Sequence, residues 1–245
     1  MASLMERVPG RFSTELGLRL QKRRGQDLFL WFLAAILFGA RISGSIAVHT
    51  HAEFVRRGLT SPERILKMGW DGLVDVLDAG GYVRYDYKTA TKLLEVMRTV
   101  IGRYEGDLNN IHRAARDSED LSERLKSLGK GIGDVTVEIF LRELRGVWPK
   151  ARPPLSSLAV LAVNHLKLEV SPSKRRAVGR LGSLRQVWRE AGPAGHCFAD
   201  FESALVRLGR DYCRQQRRDT CPMREFGCGV RRRRGRHAAS DHCEG

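Results

Sequence analysis

The residues best suited to chemistry in this chain are three glycines and a lysine, in the run Gly129-Lys130-Gly131-Ile132-Gly133-Asp134. Leu125 and Leu128 precede the run, and Thr136, Ile139 and Leu141 follow it. Two glycines around one apolar residue let the chain turn tightly between helices, and they leave the first N–H groups of the second helix uncovered. Those donors, aligned with the helix dipole, suit a phosphate, and Lys130 adds a positive charge beside them. The chemistry expected is a grip on a nucleic-acid backbone that does not depend on base sequence, with Lys130, Gly131, Ile132, Gly133 and Thr136 as its residues. Without the apolar flanks, the same glycines would serve as an ordinary turn between helices.

The cysteines form a second group. All five, Cys197, Cys213, Cys221, Cys228 and Cys243, lie beyond residue 196. Structural disulfides are rarely so localised, so the pattern reads as a terminal metal or cluster site.

The chain of 245 residues carries 43 Lys and Arg against 28 Asp and Glu, a formal net charge of +15 on a 42% hydrophobic composition. That length suits one large domain or two small ones with a buried core. The charge points to a polyanionic partner. Double-stranded DNA fits best, because phosphates reward Lys and Arg through counterion release; a basic but inert surface is the alternative. No membrane is expected, since the apolar run Leu28 to Ala40 is thirteen residues long and a span needs about 20. Residues 1–26 show no secretory signal, which gives a cytoplasmic expectation.

These groups must be positioned by helices, because alternating strand patterns are few. The spacing predicts a central buried helix over Leu28 to Ala40, and a short helix capped by Thr60-Ser61-Pro62-Glu63 that stops at Gly69. Further helices are expected over Asp71 to Ala79, from Thr89 to Gly102 or Gly106, over Leu108 to Ala115, and over Asp120 to Leu128. Beyond the hairpin, Val135 to Leu144, Leu155 to Leu168 and Phe198 to Tyr212 also read as helices. Tyr82 to Lys88 reads as an exposed turn, Ser171 to Arg180 as a loop or basic arm, and Arg231 to Gly245 as a disordered tail.

From about Asp27 to Cys228 the chain resembles the helix-hairpin-helix (HhH-GPD) DNA glycosylases of base-excision repair, in particular their endonuclease III-like branch. The resemblance rests on the apolar helix ending in LFGARIS, the Gly81-Tyr82 turn, the LGKGIGDVTV hairpin and the Cys-rich end after ALVRLGRDYC. It implies an all-α fold of two helical lobes over residues 1–228 followed by a basic tail, 229–245, in a monomer that binds duplex DNA and flips out a damaged or modified base. On this likeness Tyr82, Arg84 and Arg41 would stack in, or fill, the gap left in the DNA; a packed turn for the first two and a surface salt bridge or cap for Arg41 are the alternatives.

The chain departs from the family where the chemistry is done. Val135 stands where bifunctional relatives place a lysine nucleophile, so strand cleavage through a Schiff base is not expected. Ser156 and Ser157 stand where the family has an aspartate. The acids left as catalytic candidates are Asp134, Glu138 and Asp86, with a helix cap as the alternative for Asp134 and an exposed helix position for Glu138. The function expected is therefore a DNA glycosylase with non-standard catalytic residues, or a non-catalytic DNA-structure binding module of the same fold. The resemblance also implies a [4Fe-4S] cluster on Cys213, Cys221 and Cys228, with Cys197 or Cys243 as fourth ligand and Arg224 at the family's third position. Zinc held by three cysteines with His196 or His242, and no metal at all, are the alternatives.

Overall fold

Ten consecutive side chains from Leu28 to Leu37 are buried, so the helix that carries them lies at the centre of the fold. In the computed structural model, which describes residues 1–168 and 172–226 apart from the side chains of 172–178, all regular elements are helical. The first of them are α1 (Ala2–Arg7), α2 (Phe12–Glu15), α3 (Gly25–Phe38), α4 (Gly44–Arg56), α5 (Pro62–Ala79) and α6 (Asp86–Tyr104). There follow α7 (Leu108–Ala114), α8 (Ser118–Lys126), α9 (Asp134–Glu143), α10 (Ser157–Leu166), α11 (Pro172–Ala191) and α12 (Phe198–Leu208). No described helix is long and apolar enough to cross a membrane.

The central helix α3 packs on α4, α7 and α9. It holds α9, the second helix of the glycine hairpin, by the Trp31 indole N–H donating to the Phe140 carbonyl at 3.0 Å and by an edge-on Phe32–Phe140 contact. At its C-terminus Gly39 touches α9 so closely that a Cβ would lie 2.5 Å from the Thr136 hydroxyl oxygen. This contact fixes the loop after α3 against the hairpin. His51 of α4 is buried against α3 with a ring nitrogen 3.2 Å from the Leu30 carbonyl, and burial pushes its pKa down to about 4.

The first helix returns to the last one described, since α1 packs on α12 and α12 on α10 and α9. The short N-terminal helices carry no strong sequence signal, because a residue from far along the chain caps one of them. The buried Glu143 carboxylate accepts from the backbone N–H groups of Phe12 at 2.7 Å and Ser13 at 2.8 Å, satisfying donors at the start of α2.

Several boundaries differ from the sequence expectation. Ser61, not Thr60, caps α5 by accepting from the Arg64 N–H, and Gly69, at φ +75°, breaks that helix where the first piece was expected to stop. The α6 helix begins at Asp86 rather than Thr89. Ser171 to Arg180, expected as a loop, is helical from Pro172 onward. Cys228, Cys243, His242 and the tail 229–245 lie outside the described residues.

Candidate nucleic-acid interface

The hairpin turns as its glycines require. Gly131 sits at φ +88°, in the left-handed region that a side chain disfavours, while Gly133 has extended backbone as the cap of α9. No side chain caps α9, and the N–H groups of Asp134, Val135 and Thr136 meet no partner among the described residues. Lys130, Gly131 and Gly133 are exposed, whereas Ile132 and Thr136 are buried and hold the turn to the core rather than facing outward. Two carboxylates border the turn. Glu95 accepts from the Lys130 N–H at 3.0 Å, and Asp134 pairs with Lys126 at 2.6 Å. Asp134 is therefore the first residue of the helix and an exposed ion-pair member, and its cap role falls to Gly133.

From the hairpin a groove runs across the molecule along the loop after α3. One cavity of about 820 Å³ reaches from Lys130, Lys92 and Lys88 to Arg41. A second, of about 540 Å³, shares Arg41 with it, and a third, of about 840 Å³, shares Ser43, Gly44, Arg210 and Arg214 with the second. Arg41 is exposed at the junction of the first two and makes no ion pair or hydrogen bond with a described residue. Among the described residues it forms neither the surface salt bridge nor the cap that was its expected alternative role.

Set against models of protein families and against curated proteins, the chain matches none. Its site must therefore be read from its own geometry.

The middle cavity is the cleft in which the departures from the expected chemistry meet. Val135, Glu138 and Arg142 line it from α9, and Ser156 and Ser157 line it from the start of α10. Glu138 is the one carboxylate among its lining residues; burial pushes that carboxyl above its usual range, Asp134 adds repulsion and Arg142 opposes both. Four arginines, Arg41, Arg142, Arg210 and Arg214, share the same lining. Asp134 is not part of the cleft.

The wall carrying Ser156 is fixed from below. Arg145 donates to Glu202 at 2.6 and 3.2 Å, both residues being buried, and the same guanidinium bonds the Pro153 and Pro154 carbonyls just before α10. On the opposite wall, α12 widens into a π turn (Gly209–Cys213) that presents Arg210 and Arg214. Gly209 is required there, because a Cβ would meet the Leu158 carbonyl oxygen at 2.1 Å. Sequence reading missed Arg142 and Arg210, since arginines within helical patterns read as solvated faces.

The turn after α5 is corrected in one residue. Tyr82 is 2% exposed, with its hydroxyl accepting from Thr89 at 3.2 Å, so its ring is not free to stack between bases. Its neighbours Val83 and Arg84 are the exposed residues of that turn.

Of the cysteines, Cys213 and Cys221 are buried beyond α12, while Cys197 lies at its start and accepts the capping bond from Asp200. The whole of α12 and the π turn separate Cys197 from Cys213, about 24 Å at ~1.5 Å per residue, so Cys197 is excluded as a ligand shared with Cys213. His196, the residue before it, is excluded for the same reason. No group of three or more His, Cys, Asp or Glu side chains that could hold a metal ion occurs among the described residues.

Proposed function

We infer that this chain is a DNA-binding protein of base-excision repair type. It holds duplex DNA along the groove between the hairpin and the α12 wall, and it hydrolyses the N-glycosidic bond of a damaged or modified nucleotide extruded into the cleft. The observation that carries this reading is the continuity of the groove. Uncovered N–H groups at the start of α9, Lys130, Arg41 and the cleft with its single carboxylate lie along one line of joined cavities. Phosphate contacts at the rim position the duplex, and the cleft takes the base. Two further features agree with the likeness to helix-hairpin-helix glycosylases: the N-terminal helix α1 packs on α12, and the hairpin sits beside the loop that bears Arg41.

In the cleft Glu138 donates its proton to the departing base as the C1′–N bond breaks; water then adds at C1′ and returns a proton to the carboxylate. Val135 offers no amine, so the base is released and the sugar stays in the uncut strand as an abasic site. The [4Fe-4S] or zinc site implied by the resemblance would use Cys213 and Cys221, with Cys228 and Cys243 as the remaining thiols, and would fasten the segment after α12; no step of the reaction runs through it.

Duplexes carrying uracil, oxidised, alkylated and mismatched bases, incubated with the chain and then treated with alkali, test the reaction. Base release from at least one lesion, lowered about a hundredfold or more in Glu138→Gln, is the expected result. The four arginines that line the cleft with Glu138 oppose positive charge on the sugar and favour a second reading, a non-catalytic module that recognises distorted DNA. Tight binding to a lesion with no release from any duplex selects that reading.

A further inference from the structure

Resting on the reading that the cleft accepts a nucleotide, the geometry points to a phosphate subsite within it, built from Arg142, Arg214 and the N-termini of α4 and α10.

Arg142 is 5% exposed, lines the cleft, and has an Nε with no hydrogen-bond partner. Its guanidinium lies 5.3 Å from the Phe12 ring centre, and the nearest carboxylate oxygen, on Glu143, is 3.8 Å away. That carboxylate is already engaged by the Phe12 and Ser13 N–H groups and the Ser203 hydroxyl. A guanidinium keeps its charge, so burying one with a donor unused is costly unless an anion meets it.

Two helix starts converge on the same cavity. Ser43 caps α4 by accepting from the Ile46 N–H at 3.2 Å, and Ser156 caps α10 by accepting from the Ala159 N–H at 3.2 Å. The N–H groups of Gly44, Ser157 and Leu158 then lack partners among the described residues, and all three residues line the cleft. Both helix dipoles add positive potential there.

The remaining charges set the polarity of the site. Arg210 is gripped by Asp211 at 2.6 and 2.9 Å and shapes the wall, whereas Arg214 is exposed at the rim and adds free positive charge. Glu138 lies one turn before Arg142 on the same face of α9. The cleft thus has an acidic end beside Val135 and a cationic end beside Phe12, which suits a neutral base at one end and a phosphate at the other. That phosphate belongs either to the end of a broken DNA strand or to a free nucleotide.

Calorimetric titration of the full chain with inorganic phosphate, a deoxynucleoside 5′-monophosphate and the matching deoxynucleoside tests the subsite. Nicked duplexes bearing a 5′-phosphate or a 5′-hydroxyl identify the source. Phosphate and the monophosphate should saturate one site, with the deoxynucleoside at least tenfold weaker. Arg142→Gln should weaken phosphate binding at least tenfold. Because that change touches the core, Ser157→Glu and Arg214→Gln serve as exposed variants, and a carboxylate in the first turn of α10 is compatible with the helix. Both should weaken phosphate binding while the melting temperature holds. Preference for the phosphorylated nick assigns a strand end; binding of the small probes without any duplex binding assigns a free nucleotide and overturns the DNA reading alone. Absence of saturable phosphate binding, or binding unchanged in folded Ser157→Glu and Arg214→Gln, overturns the subsite whatever the duplex does.

Discussion

On the proposed reading the hairpin and the cleft both meet anions, yet by opposite means. The hairpin uses exposed backbone: a Cβ at Gly133 would meet nothing within 4 Å, and Asp134 and Val135 at the head of α9 are exposed. The cleft uses side chains from distant parts of the sequence, Phe12 to Arg214, over a floor of buried ions that includes Arg142, Glu143, Arg145 and Glu202. Backbone donors at a solvated turn cost little to maintain, whereas buried ions must recover their lost hydration from partners. Damage to the cleft should therefore appear first as lost stability, and damage to the hairpin as lost affinity.

The strongest break in that comparison is Arg145→Ala, which leaves the fully buried Glu202 carboxylate unpaired and frees the Pro153–Pro154 segment ahead of α10. Removing one partner of a buried pair costs about 3–5 kcal/mol. Urea denaturation should show that loss, with Gly133→Ala within about 0.5 kcal/mol of the parent. A loss below about 1 kcal/mol in Arg145→Ala would mean that the ion pair does not hold the cleft wall.

A somewhat smaller effect follows from His51, which docks α4, and hence its cleft-facing N-terminus, against α3. Its folded pKa is about 4 against an ordinary value of 6.5, so the folded protein binds fewer protons than the unfolded chain between those values. The contribution is complete above pH 6.5 and lost as pH falls toward 4, amounting to about 3 kcal/mol. His51→Gln should flatten that part of the stability profile measured by urea midpoints from pH 7 to pH 4. An unchanged slope would assign the acid sensitivity to other groups.

The two regions also differ in how far the sequence reveals them. The hairpin is legible because its function needs backbone conformations that only glycine supplies easily, as at Gly131, and such needs leave a mark in a few adjacent residues. The central helix is legible for a similar reason, since a run of apolar side chains has one consistent place. Glu138 was reachable as a carboxylate near the hairpin, but its place in the cleft was not. Arg142 and Arg210 carry no local mark: their meaning comes from burial and from the π turn that follows α12, where Gly209 lies too close to Leu158 to carry a side chain. Tyr82 shows the converse error. Its aromatic, charged neighbours suggest an exposed turn, while the Thr89 hydroxyl and the core below it draw the ring inside.

The smallest expected effect tests the rim by itself. Asp134 is exposed, sits at the start of α9 and pairs with Lys126, so its charge faces the place where a DNA phosphate would meet the open N–H groups. Asp134→Asn removes that repulsion and releases Lys126 to contact the backbone. Duplex affinity in low salt should rise about two- to fivefold, the scale of ~0.4–1 kcal/mol for an exposed charge interaction, and the gain should shrink as salt is added. Because Asp134 does not line the cleft, base release by the variant should match the parent under saturating protein. A loss of base release with unchanged affinity would move the catalytic carboxylate from Glu138 to Asp134 and place the chemistry at the hairpin itself.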